Sequence, residues 1–326
     1  MADVLITGGA GFIGSHIVRN LIQKGHHPII FDSFVKYTFS PDKKRGIVLP
    51  ETLAEKRIET IKDKITIVKL DLNQSGAFGK ALDDYRPYAV IHLAGIPLAN
   101  VANIAPQMAI DNNLMATLAV LNAIKDRDFI QRFIYTSSSM VYGNFIRPLA
   151  DEEHPTNPIC NYGTTKLAGE VLTKGMSNRY EFEHTIIRPS AVYGPTDYNH
   201  RVVQIFLEKA MKGETLFLQG GGESRLDFTF VEDLAEGFVL ALKSKNAINQ
   251  TFNLTRGESR TLGELTGTIS QHIPNVKTEI VPQEMKRPER GTLDISKARK
   301  LLGFNPQYSL EKGIAKYISH IKEYGL

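Results

Sequence analysis

Short apolar runs alternate with amphipathic stretches along this chain, and each run has the length of one buried strand. Val4-Leu5-Ile6 is the first. A run so short cannot make a useful helix, so it reads as a strand enclosed on both faces. Ser15–Lys24 follows, with Ile17, Val18, Leu21 and Ile22 on one side, the spacing of an amphipathic helix. Gly25 is a natural stop for it. His27–Phe31 is a second strand, ending at Asp32. Further strands are predicted at Ile65–Leu70, from Ala89 to an exit turn at Ala94-Gly95, at Arg132–Ser137 and at Glu183–Arg188. Helices are predicted over Asn112–Lys125, with Leu114, Leu118, Val120, Leu121 and Ile124 apolar, and across Thr164–Lys174. Strands separated by helices require crossover connections, and so a parallel sheet with helices on both faces.

After Arg188 the rhythm changes. Pro189, Gly194, Pro195, Gly213 and Gly220–Gly222 cut the chain into shorter pieces. The expected division is a main α/β domain over 1–188 and a smaller α/β lobe over 189–326, with segments of about 228–256 returning to the main sheet. Ser33–Lys64 is long for a connection between strands; Lys43-Lys44-Arg45 reads as a solvated loop and Leu53–Ile61 as a short helix.

The turn after the first strand carries chemistry. Gly9, Gly11 and Gly14 give Gly-x-Gly-x-x-Gly, and Gly8 offers a second spacing with Gly11 and Gly14. Between a strand and a helix, such glycines permit a tight turn, close backbone approach to a pyrophosphate and close helix–strand contact. The helix amino terminus adds N–H donors and a positive dipole end. Asp32 falls 18 residues after Gly14, close to the spacing of an acid that binds the adenosine ribose hydroxyls. A carboxylate there repels a 2′-phosphate, which favours NAD over NADP. The fold class is therefore a Rossmann-type doubly wound parallel sheet carrying a smaller carboxy-terminal α/β substrate lobe.

Tyr162 and Lys166 lie four residues apart, one helical turn from each other. An ammonium beside a phenol stabilises the phenolate, and a phenol tuned toward neutrality can take and return a substrate proton. The pair alone is unspecific; downstream of a dinucleotide motif it acquires meaning.

Composition narrows the partners. The chain of 326 residues has a net charge of +4 with its basic residues scattered, too mild a bias for nucleic acid. A single cysteine, Cys160, forbids an internal disulfide and fits a reducing, cytoplasmic setting. No run of eighteen or more apolar residues suggests a membrane span. The first residues lack the basic-then-apolar design of a secretory signal.

Taken together, Thr7–Gly14, Asp71-Leu72, His92–Gly95, Ser137–Gly143, Tyr162–Lys166, Arg188-Pro189, Val192–Pro195, Arg225–Phe228, Val231–Ala235 and Leu301–Phe304 resemble an extended short-chain dehydrogenase/reductase of the NAD-dependent nucleotide-sugar epimerase/dehydratase family. The resemblance covers nearly the whole chain and implies an enzyme with NAD as cofactor and a nucleotide-diphosphate sugar, a UDP-sugar foremost, as substrate. It implies Tyr162 as acid/base, Lys166 as the group that binds the nicotinamide ribose and holds the phenol pKa down, and Ser138 as the hydroxyl on the reacting sugar oxygen. On the cofactor side it implies Gly8, Gly11, Phe12, Ile13, Gly14 and Asp32, with Asp71 and Leu72 flanking adenine. Ala94 and Gly95 line the dinucleotide path, Asn112 stands at the start of its helix, and Pro189 approaches the nicotinamide. Substrate is implied at Ser138, Ser139, Arg225 and Arg287, the two arginines gripping the diphosphate; Arg290 is an alternative to Arg287. No metal is implied. Homodimerisation through two helices is implied, with Leu167, Val171 and Leu172 either at that interface or buried within the subunit.

Departures narrow the reaction. The family's 4,6-dehydratases carry an Asp-Glu pair directly after the position of Ser138, and its decarboxylases keep a glutamate at the position of Met140. Ser139 and Met140 stand there in this chain. A thioether cannot transfer a proton. Ala191 replaces a substrate-holding asparagine, and Pro97 stands where some galactose epimerases have lysine. The expected reaction is inversion at C4 through a transient 4-keto sugar. The alternatives are a 4-oxidase or 4-keto reductase, a dehydratase or decarboxylase, and a non-catalytic NAD-binding scaffold.

Overall fold

The computed structural model describes residues 2–325 except 41–42, 50–51, 75 and 284–287, and describes only the backbone of 36–40, 43–49 and 52. Seven strands form the main sheet: β1 (Asp3–Thr7), β2 (His27–Asp32), β3 (Thr66–Lys69), β4 (Ala89–His92), β5 (Arg132–Thr136), β6 (His184–Arg188) and β7 (Gln250–Asn253). Their order is β3-β2-β1-β4-β5-β6-β7, and every neighbouring pair is parallel. The strand order reverses between β1 and β4, which makes a crevice at the carboxyl ends of those strands.

Alternation along β1 divides the core. Val4 and Ile6 face one side, where they pack with Ile17, Val18 and Leu21 of the Phe12–Gln23 helix and with Leu234 and Phe238 of the Val231–Lys243 helix. Leu5 faces the other, among Phe78 and Leu82 of the Ala77–Tyr85 helix and Val120 and Leu121 of the Ala116–Ile124 helix. Successive strand side chains point to opposite faces, so every apolar residue of the strand is buried. Each such aliphatic side chain contributes roughly 1.5–3 kcal/mol. A separate core holds the carboxy-terminal lobe, where Phe206, Leu207, Phe228 and Leu265 meet Ile314 and Ile318 of the Leu310–Tyr324 helix. Among the described residues no helix is long and apolar enough to cross a membrane.

The connection after β2 differs from expectation. Lys36–Ser40 and Lys43–Leu49 pair as an antiparallel hairpin, so the backbone of Lys43-Lys44-Arg45 is strand rather than loop. Thr52–Ile58 is the helix expected from Leu53, and it ends three residues early because Glu59–Lys64 tightens into a 3-10 segment. The predicted Asn112–Lys125 helix also begins differently: Ile110–Met115 is a π-helical turn leading into Ala116–Ile124. Asn112 therefore lies inside a wide turn, not at a helix start.

Candidate active site

A cleft of about 750 Å³ runs along the carboxyl edge of the sheet. Gly8, Gly11, Phe12, Ile13, Gly14, Asp32, Asp71, Leu72, Ala94, Gly95, Asn112, Ser138, Ser139, Tyr162, Lys166 and Pro189 all line it. Ligands in doubly wound sheets occupy such a crevice.

The glycine turn is a cradle that side chains would fill. Gly8 has φ +71° and its N–H donates to Phe31 O at 2.9 Å. A Cβ on Gly14 would stand 2.3 Å from Gly8 O, and one on Gly8 would stand 2.9 Å from Ala94 N. The turn thus leaves bare backbone at the start of the Phe12–Gln23 helix, the surface a pyrophosphate needs. Asp32 closes one end. Its Oδ2 accepts Ala10 N at 3.0 Å and its Oδ1 accepts Phe34 N at 2.8 Å. Burial pushes this carboxyl up, while the Phe34 and Ala10 N–H bonds and the nearby Arg57 charge pull it down. These residues fit an NAD-type dinucleotide.

The exit of β4 is held by a polar chain. Ala94 N donates to Thr7 Oγ1 at 3.3 Å, and Thr7 Oγ1 meets His92 Nδ1 at 2.7 Å. His92 Nε2 meets Thr117 Oγ1 at 3.0 Å, and that hydroxyl donates to Asn113 O. Donor follows donor only if the imidazole is neutral with its proton on Nε2. Burial, with the Lys166 charge adding to it, holds His92 down at about 3. Asn112 lines the cleft, but Asn113 ties it together: its Oδ1 accepts Ile96 N at 2.7 Å and its Nδ2 donates to Thr165 Oγ1 at 3.2 Å.

Ser138, Tyr162 and Lys166 converge where β5 meets the Asn161–Tyr180 helix. Ser138 Oγ accepts Met140 N at 3.2 Å, and Ser138 and Tyr162 line the same cleft. Lys166 is buried, donates from Nζ to Thr136 O at 2.9 Å, and is lowered to about 8 by burial. Burial raises the Tyr162 phenol, opposed by the Arg201 charge and the polar Ser138 side chain. The lysine is directed to a backbone carbonyl, and the opposing cation is Arg201.

The arginines also sort differently. Arg225 is exposed, lies outside the cleft lining and donates to Ser259 O at 3.3 Å, because its strand pairs with Ser259–Thr261. Arg287 lies outside the described residues. Arg290 lines the cleft, as do Arg57 and Arg201. Arg57, Asn113 and Arg201 are absent from the sequence-derived site. Arg57 sits in the long post-β2 connection, and Arg201 follows Val192–Pro195 with no spacing rule to mark it; Asn113 was one residue from a candidate.

Residues 4–255 match the NAD dependent epimerase/dehydratase family. The UDP-glucose 4-epimerase of Mycolicibacterium smegmatis is 30% identical over 336 residues, 98% of each chain. UDP-glucuronic acid decarboxylase 4 of Arabidopsis thaliana is 30% identical over 98% of this chain and 68% of its own. The crystal structure of UDP-glucuronic acid 4-epimerase from Bacillus cereus, in complex with UDP-glucuronic acid and NAD, superposes with a TM-score of 0.89 at 28% identity, covering 98% of this chain and 99% of the other.

Proposed function

The chain belongs to the NAD dependent epimerase/dehydratase family and is an NAD-dependent nucleotide-sugar epimerase; from this we propose that it inverts C4 of a UDP-sugar through a transient 4-keto sugar, with Ser138, Tyr162 and Lys166 as its catalytic set. The observation that carries the reading is that Ser138, Tyr162 and Lys166 line one cleft with the glycine turn and Asp32. NAD, when bound, supplies the hydride acceptor and donor at the sugar carbon. Gly8, Gly11, Phe12, Ile13, Gly14, Asp32, Asp71, Leu72, Ala94, Gly95, Asn112 and Pro189 would hold that cofactor.

Tyr162 takes the proton of the C4 hydroxyl. Ser138 Oγ already accepts Met140 N, so its own proton is available to bond the sugar oxygen. Lys166 would bind the nicotinamide ribose. The 4-keto sugar turns about its diphosphate linkage, and Tyr162 returns the proton to the oxygen on the opposite face. Met140 lines the cleft beside Ser138 and can neither give nor take a proton, which supports inversion over dehydration or decarboxylation.

Residues 1–188, with the returning 228–256 segments, form the dinucleotide half; 189–326 supplies the nucleotide-sugar side, where Phe217, Gln219, Leu226 and Arg290 line the cleft. A bidentate guanidinium suits a diphosphate, and Arg290 takes that role. We assign the protein to the cytoplasm and to a homodimer. Val171, 63% exposed, and Met115, 48% exposed, support a contact through the Asn161–Tyr180 helix and its neighbour, whereas Leu167 and Leu172 pack into the subunit's own cores.

The test is a panel of UDP-hexoses and UDP-hexuronates offered to purified protein. C4 epimers should interconvert with no net NADH, and Tyr162→Phe should be slower by about 10²–10⁴-fold. Stoichiometric NADH release would instead mark a dehydrogenase.

A further inference from the structure

Pro288 and Arg290 line the cleft, while Glu289 between them is exposed. The backbone of Glu289 is held from outside the cleft by the chain that follows the serine turn. Ser138, Ser139 and Met140 line the same cleft, and the Ser139–Tyr142 turn leads directly into Asn144 and Phe145. Asn144 Oδ1 accepts Glu289 N at 3.0 Å, and Phe145 N donates to Glu289 O at 2.8 Å. Both backbone polar groups of Glu289 are thus taken by two consecutive residues.

The contact continues along both stretches. A Cβ on Gly291 would stand 2.8 Å from Pro148 O, so the two backbones approach more closely there than any side chain allows. Thr292 and Leu293 then pair in parallel with Leu149 and Ala150, and Asp294 N donates to Ala150 O at 2.8 Å. Leu293 N donates to Oδ2 of the buried Asp227 at 3.2 Å. Phe145 packs against Val141 and Tyr142 of the serine turn and Leu293 of the other stretch, one small apolar cluster shared by the two. Buried His154 completes the hold: its Nε2 accepts Ile146 N at 3.0 Å, and its ring lies 5.4 Å from that of Phe145.

We propose that Asn144 and Gly291 are positioning residues for the substrate: they close a clasp between the serine turn and the Pro288–Arg290 stretch, and the clasp sets where the Arg290 guanidinium meets the diphosphate. An arginine side chain has many rotamers, and a bidentate match to phosphate oxygens tolerates little displacement. The fold can narrow that search by fixing the backbone on either side of Arg290, and Glu289 and Gly291 are the two residues that flank it. One continuous stretch from Ser138 to Ala150 then sets the spacing between the sugar end of the cleft and its diphosphate end.

What Arg290 binds rests on the nucleotide-sugar reading, so clasp and grip are measured by different probes, both on NAD-loaded protein. Amide exchange at Glu289 reports the clasp. Asn144→Ala should speed it about tenfold, the loss of one hydrogen bond, and Asn144→Asp, which keeps an acceptor, should restore it. Affinity for UDP, read by titration calorimetry, reports the grip. Asn144→Ala and Gly291→Ala should each weaken UDP by about threefold to tenfold and leave bound NAD unchanged. Combined with Arg290→Ala, neither should weaken UDP further, because the clasp acts through that guanidinium. If Gly291→Ala does not fold, Asn144→Ala, at the exposed end of the clasp, carries the test alone. Losses that add fully to that of Arg290→Ala would overturn the proposal, as would unchanged UDP affinity in the single variants or unchanged exchange in Asn144→Ala. No UDP affinity in the wild type would overturn it as well. UDP affinities in the expected pattern without turnover of any UDP-sugar would instead sink the epimerase reading alone.

Discussion

Arg188 meets Glu170 through two hydrogen bonds, Nε to Oε1 at 2.9 Å and Nη2 to Oε2 at 2.7 Å, and the two side chains are 4% and 2% exposed. Glu170 stands one turn beyond Lys166 on the helix that carries Tyr162, and Arg188 ends β6 just before Pro189. Ser137 Oγ donates to the same carboxylate, and Arg188 Nη1 donates to Tyr142 OH at 2.9 Å. The pair therefore locks the Asn161–Tyr180 helix, the segment after β5 and the end of β6 into one unit.

Removing one partner of a buried pair leaves the other charge uncompensated, at a cost of about 3–5 kcal/mol. Glu170→Gln should lower unfolding stability by that amount. The half-exposed Arg127–Asp83 pair provides the contrast, and Asp83→Asn should cost far less. Urea midpoints with unchanged slopes measure both. Equal losses in the two variants would refute the distinction.

Two buried histidines set an acid limit. His92 is held down at about 3 and His184 at about 4, chiefly by burial. Their folded values lie below the ordinary 6.5, so the unfolded chain takes up protons that the fold refuses. Stability should fall as pH drops through 6.5, by about 1.4 kcal/mol per pH unit for each group. Asp227, raised to about 7 mainly by burial, works in the opposite sense over part of that range. The comparison of wild type with His184→Asn isolates one histidine: between pH 6 and 5 the variant's stability should fall less steeply, by roughly one bound proton. Identical slopes would contradict it.

Glycines separate seat from scaffold. Gly14→Ala would press a methyl 2.3 Å from Gly8 O and 2.8 Å from Gly9 Cα, so the turn must open. Purified Gly14→Ala should retain little or no NAD. Gly25, at φ +80° with nothing within 4 Å of its Cβ position, should cost about 1 kcal/mol as alanine and leave NAD content unchanged. Measuring bound NAD in the two variants decides the matter, and equal retention would exclude the cradle.

Arg290 lines the cleft and Arg225 does not. Arg290→Ala should raise the UDP-sugar KM about tenfold or more, whereas Arg225→Ala should change it less than about twofold, since a hydrogen bond to charge is worth roughly 1.5–3 kcal/mol. Steady-state kinetics with both variants distinguish the two, and the reverse pattern would restore Arg225 to the diphosphate.

What was legible in the chain follows from locality. The β1 turn, Asp32 and the Tyr162–Lys166 pair were readable because one turn or one crossover fixes their geometry, and the periodicity of Val4–Ile6 against Ile17–Leu21 fixed the layers. Arg57 and Arg201 were not, since each reaches the cleft only through long-range packing of a loop whose contacts span the two halves. Arg225 is exposed and outside the cleft lining, on a strand paired with Ser259–Thr261, which no local pattern announces. Asn112 and Asn113 differ only in how a π-turn aims them, and a regular helix was assumed.

The central claim is that the hydrogen removed from the sugar carbon returns to that carbon. A UDP-sugar carrying deuterium at C4, converted by the purified protein in ordinary water, tests it directly. The account predicts that the epimeric product keeps its deuterium at C4, with none exchanged into solvent. Protium at that position in the product would contradict it.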